Sequence, residues 1–208
     1  MDNSPKSMSR TEFRRHLDFQ IINDWIDPNS RVLDLGCGRG ILLEHLQREK
    51  NVTGIGVDSA PEKILGCVKR GVSAYQGDIE PVLGQFPDGF FDWVICSQTL
   101  PELTRPARII EESLRVGQRL AMAFVNHGYW LNRWNMARYG HRVINEVYPR
   151  AWYHSNPSNP VSVRDFEGFC RTRQFNINRA VYLRGDWRNR CSVFPNLLAG
   201  YVLYDLSR

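Results

Sequence analysis

The chain is 208 residues long, 42% hydrophobic, 24% charged and 12% aromatic. That is enough sequence for one domain with a full core, and the balance excludes a disordered or collagen-like chain. The net charge of +5 is uneven: residues 1–104 carry 11 Lys and Arg against 15 Asp and Glu, whereas residues 105–208 carry 16 against 7, all 16 being arginine. A solvated basic face accounts for this; a surface for an acidic substrate, a nucleic acid or an acidic protein is the sharper reading. The longest apolar run, Leu120–Val125, is far short of the ~20 residues of a membrane helix. The N-terminus carries no apolar run, so neither a membrane nor a secretory signal is expected, and the cytoplasm is the expected location. Cys37, Cys67, Cys96, Cys170 and Cys191 contain no Cys-x-x-Cys pair, which argues against a disulfide framework or a zinc site.

Residues 11–26 read as a lead-in helix, with Phe13, Leu17, Ile21 and Trp25 at four-residue steps, Ser9-x-x-Glu12 as a capping box and Asp27-Pro28 as its stop. Residues 1–29 therefore form an N-terminal element ahead of a domain over 30–208. That domain alternates. Arg31–Leu35 is a strand, followed by a glycine turn and a helix over 40–49. Val52–Val57 is a second strand ending at Asp58. A helix capped by Ser59-x-x-Glu62 runs to Arg70, where Gly71 stops it, and Val72–Tyr75 is a third strand. Phe91–Cys96, a helix over Pro106–Arg115 and Arg119–Val125 follow; a helix near Ser162–Arg173 and strands near Asn176–Leu183 and Gly200–Leu206 complete the count. This rhythm predicts an α/β, Rossmann-like fold with a mostly parallel seven-stranded sheet covered on both faces. Residues 126–160, rich in Trp, Tyr, Arg and Asn, break the rhythm after the fifth strand. An insertion there would roof the ligand crevice.

The strongest motif is Val32-Leu-Asp34-Leu-Gly36-Cys37-Gly38-Arg-Gly40. Its glycines let the backbone bend sharply and a ligand approach it. The spacing differs from the dinucleotide fingerprint, and Asp34 stands two residues before the first glycine. A carboxylate there would repel a pyrophosphate and attract a cation. S-adenosylmethionine, with its ammonium and sulfonium, suits Asp34; NAD does not. The competing reading has Asp34 binding the turn's own N–H groups. Asp58, 22 residues after Gly36, can accept both hydroxyls of a ribose; a helix-capping role is weakened by Ser59, which serves it better. Gly77, Asp78 and Ile79 follow the third strand, where Asp78 can accept from an adenine amino group and Ile79 can lie on the ring, unless Asp78 merely closes an Asx turn. Ser97 and Gln98 end the fourth strand and face either the methionine end of the cofactor or the acceptor pocket.

These four signals, in this order, resemble the class I S-adenosylmethionine-dependent methyltransferases over residues 30–125. Arg31–Gly38, Gln76-Gly-Asp78, Phe86-Pro-Asp-x-x-Phe-Asp92, Ser97-Gln-Thr-Leu100, Glu111-Glu-x-Leu-Arg-Val-Gly117, Asn126-x-Gly-x-Trp130, Trp152-Tyr153, Asp165-Phe-Glu-x-x-Cys170 and Pro195-Asn-Leu197 narrow the likeness. Together they resemble the MetW family of methionine biosynthesis proteins. The resemblance implies that S-adenosylmethionine or S-adenosylhomocysteine binds at Asp34, Gly36, Cys37, Gly38, Gly40, Asp58, Ser59, Gly77, Asp78, Ile79, Ser97 and Gln98. It also implies a partnership with homoserine O-acyltransferase, which the family supports. Phe124-Val-Asn126 and Ser155–Pro160 depart from the family's pattern, in the roof.

The sulfonium is already activated, so alignment alone can drive methyl transfer and no catalytic dyad is required. No residue stands out as a base; His127 and Tyr129 after the fifth strand are weak candidates, with Tyr153 and His154 in the roof behind them. Three functions follow: a cofactor-binding partner that tunes homoserine acylation, a small-molecule methyltransferase, and an RNA methyltransferase. The third rests on aromatics interleaved with arginines from Trp130 to Trp187; these read better as core and lid, so nucleic acid is not an expected partner.

Overall fold

The computed structural model describes residues 10–140, 159–185, 187 and 189–208, with side chains from residue 17 onward. The chain runs α1 (Arg10–Trp25), β1 (Arg31–Leu35), α2 (Ile41–Lys50), β2 (Thr53–Asp58), α3 (Pro61–Lys69), β3 (Ser73–Gln76), α4 (Ile79–Leu83) and β4 (Phe91–Ser97). A 3-10 turn (Leu100–Glu102) precedes α5 (Pro106–Val116) and β5 (Gly117–Val125); α6 (Trp130–Tyr139), α7 (Val163–Arg173), β6 (Asn176–Arg184), α8 (Pro195–Leu198) and β7 (Ala199–Ser207) follow. The strands form one sheet in the order β3-β2-β1-β4-β5-β7-β6. The pairs through β1 to β5 are parallel and β7 is antiparallel to both neighbours. No described helix is long and apolar enough to cross a membrane.

Side chains alternate across a strand, and each face of this sheet carries its own core. On one face Val32, Trp93, Ile95, Tyr201 and Leu203 pack with Ile22 and Trp25 of α1, Leu42 and Leu46 of α2, and Cys67 of α3. On the other, Leu33, Leu35, Val94, Leu120 and Tyr204 pack with Leu83, Ile109, Leu114, Phe166 and Cys170 of α4, α5 and α7. Continuous apolar runs such as Val32-Leu33 and Val94-Ile95-Cys96 are what a doubly covered strand requires.

α1 turns by one residue from the expected stripe. Among its described side chains Asp18, Ile22 and Trp25 are buried, as is Ile26 just beyond its end, while Leu17 and Ile21 are half-buried. Ser9 of the expected capping box lies outside the described residues. The helix ends where the Lys50 ammonium donates to the carbonyls of Asn23 and Ile26, the latter at 2.6 Å, which satisfies orphan C=O groups of its last turn. α3 also starts differently. Its N-cap is Ala60, and no side chain caps it, so the expected Ser59 box does not form; Ser59 is exposed. α7 begins with a complete capping box between Ser162 and Asp165. α6 was not expected: its sequence, WLNRWNMARY, lacks a single apolar face, and none of its residues is buried. Residues 141–158 of the expected roof, with Trp152, Tyr153 and His154, lie outside the described residues.

Asn126 ties the end of β5 to the rest. Fully buried, its amide donates to the carbonyls of Ala199 at 2.7 Å and Asn196 at 3.2 Å, and its carbonyl accepts from Gly128 at 2.9 Å and Val163 at 3.2 Å. Asn126→Ala strands these backbone groups out of reach of water and is expected to cost about 2–4 kcal/mol in urea unfolding; a loss below about 1 kcal/mol would show that the hub is idle.

Much of the arginine excess is neutralised within the fold. Arg105 and Arg108 pair with Glu80, Arg115 with Asp88 and Glu112, Arg119 and Arg179 with the buried Asp205, and Arg173 with Glu111.

Candidate functional site

The carboxyl ends of β1, β2, β3 and β4 share one edge, and the chain order reverses between β1 and β4. That is where an open parallel sheet leaves a crevice. The turn after β1 stays tight because the Gly36 and Cys37 N–H groups both donate to the Val57 carbonyl, at 2.8 and 3.0 Å, and the Gly38 N–H donates to Asp58 Oδ2 at 3.0 Å. Gly36, Gly38 and Gly40 all lie at positive φ, at +78°, +58° and +74°, yet they do different work. A Cβ on Gly36 would stand 2.3 Å from Thr99 Oγ1, and one on Gly40 would stand 3.0 Å from Cys67 Sγ. Those two make room for protein. A Cβ on Gly38 meets nothing within 4 Å, so that side of the turn is open. The Cys37 side chain turns into the core, its sulfur 3.8 Å from that of Cys67; Cys37 therefore offers a ligand its backbone only.

Asp34 is 5% exposed, and no described group hydrogen-bonds its carboxylate. The turn's N–H groups go to Val57 and Asp58 instead, so the turn-binding alternative for Asp34 does not hold. Burial first, then the charges of Asp18 and Asp58, raise its pKa from 3.8 to about 7. A buried, unpaired carboxylate is costly, and a cation beside it would remove that cost.

Asp58 is also 5% exposed but is engaged: Oδ1 accepts from the Ala60 N–H at 3.0 Å, and Oδ2 from Gly38 and from the Lys63 ammonium at 3.2 Å. Its bond to Ala60 fixes the chain's entry into α3 without capping the helix. A carboxylate has about four lone-pair sites. With the half-exposed Lys63 turned to solvent, two remain, the number a ribose diol needs. Gly77 donates to the Asp58 carbonyl at 3.1 Å and so holds the end of β3 against β2. Asp78 is exposed at the N-cap of α4 and makes no capping bond; Ile79 is half-buried behind it.

At the end of β4 the Ser97 hydroxyl donates to Asp18 Oδ2, and Gln98 Nε2 reaches the same oxygen at 3.4 Å. Gln98 has φ +57°, a strained conformation for a residue with a side chain and one that concentrates at functional sites. Thr99 Oγ1 lies 3.0 Å from the carbonyls of both Leu35 and Ser97, closing the gap between the β1 and β4 ends. Asp18 is 1% exposed, and its Oδ1 has no hydrogen-bond partner. Burial raises its pKa from 3.8 to about 6, against the opposing hydrogen bond from Ser97. The Tyr201 hydroxyl is buried beside Asp18, Ser97 and Gln98, without a well-formed hydrogen bond to any of them; burial and then the Asp18 charge push its phenol pKa well up. Trp187 stacks on Tyr201 with ring centroids 3.8 Å apart. Asp18, Thr99 and Tyr201 were not among the expected site residues. The signal for Asp18 was present: it stands four residues before Ile22 and seven before Trp25, on the buried face of α1.

His127 and Tyr129 follow β5 at the same sheet edge. The His127 N–H donates to the Val161 carbonyl at 3.0 Å. Tyr129 points its hydroxyl at Gly185, where a Cβ would stand 2.3 Å away. Among the described residues no three His, Cys, Asp or Glu side chains gather into a metal-holding group.

The whole fold is shared with solved methyltransferases. A SAM-dependent methyltransferase of Thermotoga maritima superposes with a TM-score of 0.69 over 95% of this chain and 90% of its own, at 17% identity. The fold is therefore the Rossmann-like class I methyltransferase fold. In sequence, a bifunctional methionine biosynthesis protein MetXA/MetW of Rhodopirellula baltica is 33% identical over 122 residues, 55% of this chain and 20% of that protein. A ubiquinone biosynthesis O-methyltransferase of Pseudomonas aeruginosa is 37% identical over 103 residues, 45% of this chain and 44% of its own. The chain spans about half the length of such methyltransferases and a fifth of the bifunctional protein. The family described as methionine biosynthesis protein MetW matches residues 16–206, nearly all of the sequence, and the chain belongs to that family.

Proposed function

We propose that this protein binds S-adenosylmethionine, or its product S-adenosylhomocysteine, in the crevice between Gly38, Asp34 and Asp58, and acts in methionine synthesis beside homoserine O-acyltransferase. The observation that carries the cofactor is the unpaired, buried Asp34 next to an open Gly38. Asp34 would hold the ammonium, Asp58 the ribose, and Asp78 with Ile79 the adenine. When bound, the cofactor supplies an activated methyl group; the chain's own part is to bind and orient it. The Rhodopirellula relative supports the partnership, since its name joins MetXA and MetW in one polypeptide, and covalent fusion favours modules that act together. The fold alone does not decide for methyl transfer.

Co-purification with the acyltransferase of the same organism, with acylation rates measured with and without this chain, tests the partnership. A complex and a rate increase are expected; no complex and no rate change would reject it. The ubiquinone O-methyltransferase relatives favour a second reading, methylation of a small molecule. Labelled methyl transfer to a component of cell extract would establish it. For the cofactor, Asp58→Ala is expected to weaken calorimetric binding by about tenfold or more, the loss of two charge-assisted hydrogen bonds.

A further inference from the structure

The crevice holds more negative charge than an ammonium ion requires. Strand parity puts Asp34, Ser97 and Tyr201 on the same face of the sheet as α1, and pairing aligns Asp34 with Ile95, Ser97 with Ala123, and Val125 with Tyr201. Asp34, Ser97 and Tyr201 therefore stand at staggered registers near the carboxyl edge, and Asp18 hangs over Ser97 from α1, tethered by Ser97 and Gln98. One observation shows that the tether leaves it incomplete: Asp18 Oδ1, on a residue 1% exposed, accepts no well-formed hydrogen bond, and its neighbour there is the Tyr201 hydroxyl, not a cation. No lysine or arginine pairs with Asp18 or Asp34 among the described residues, whereas Asp58 has Lys63 and Asp205 has two arginines. Desolvating two carboxylates within reach of each other is justified by a ligand that brings two positive charges.

Resting on the cofactor assignment above, we propose that Asp18 is a specificity-determining residue that reads the sulfonium charge. The site would then prefer S-adenosylmethionine over S-adenosylhomocysteine, which carries the ammonium but not the second cation. Asp34 serves both ligands equally; Asp18 serves only the first. A chain that works beside a methionine-forming pathway would thereby respond to the charged end product and not to its demethylated form.

Calorimetric titration of the full chain with each compound at pH 8 tests this, in wild type and in Asp18→Asn, which keeps an acceptor for Ser97. The expected result is a loss of about tenfold or more for S-adenosylmethionine and less than about twofold for S-adenosylhomocysteine, a unit charge at short range in a partly screened site. Equal losses for both compounds, or none, overturn the proposal. Should Asp18→Asn not fold, the wild-type affinity ratio answers instead. Asp34 protonation affects both ligands and cancels, so the ratio should fall between pH 8 and pH 5.5 as Asp18 takes up a proton; a constant ratio overturns the proposal. If wild type binds neither compound, the cofactor assignment itself fails and this inference falls with it. If it binds both with equal affinity, only the inference fails.

Discussion

Asp34→Asn is expected to raise the stability of the ligand-free protein at pH 8 while abolishing its binding of S-adenosylmethionine. Asp34 has a pKa of about 7 in the folded chain, raised from 3.8 by burial and by the charges of Asp18 and Asp58. Between those values the folded protein holds a proton that the unfolded chain has released. Stability therefore falls as pH rises through that window, and above pH 7 the folded state carries the full cost of the buried charge, on the order of a few kcal/mol. Asparagine keeps the shape and removes the charge, though its amide is also buried without a partner. A net gain of about 1–3 kcal/mol at pH 8, shrinking towards zero near pH 4, is the expected outcome. Thermal unfolding of both proteins across pH 4–8 checks it; a variant less stable than wild type by the same margin at every pH would falsify the charge argument. The same carboxylate must be ionised to hold a cation, so wild-type affinity should drop about tenfold per unit as pH falls below about 7, with binding heats that depend on the buffer because protons are released.

The strand ends and the acids that close them were legible because both follow local rules. Apolar runs bounded by Gly, Asp and Pro located β1, β2, β4 and β5, and their alternation with helices implied a parallel sheet. The carboxylates at positions 34 and 58 are readable from their offset to the glycines. What the sequence did not reveal depends on side chains from distant elements. Asp18 reads as one polar residue on an amphipathic helix, and only the one-residue turn of α1 places it over Ser97. Thr99 reads as part of a loop, and its contact with Gly36 arises because β4 lies beside β1 in space, 64 residues apart for the Thr99–Leu35 bond. Ser59 reads as the cap for α3 by residue type, but the helix starts one residue later, with Ala60 at its N-cap and no capping side chain. α6 lacked a periodic apolar face, so periodicity could not find it.

Gly36→Ala and Gly38→Ala, two residues apart in the same turn, are expected to fail in opposite ways. Both positions have positive φ, which costs an L-residue about 1–2 kcal/mol. At Gly38 that is nearly the whole folding cost, because a Cβ there meets nothing within 4 Å. The methyl group instead projects from the open side of the turn, where the proposed cofactor would approach, so binding should weaken by at least about tenfold in a chain that is still folded. At Gly36 a Cβ would stand 2.3 Å from Thr99 Oγ1, 2.9 Å from its Cγ2 and 3.2 Å from its Cβ. Either Thr99 or the turn must shift, and the total cost is about 2–5 kcal/mol. Thr99→Ala removes the two nearest atoms, together with the hydroxyl that bridges Leu35 and Ser97. Alone it should destabilise; combined with Gly36→Ala it should recover about 1–3 kcal/mol of the clash, a coupling visible in a double-mutant cycle measured by urea unfolding. Gly38→Ala should show no such coupling to Thr99→Ala. Strictly additive effects at Gly36 and Thr99 would mean that the glycine serves backbone conformation only and that its contact with the β4 end carries no energy.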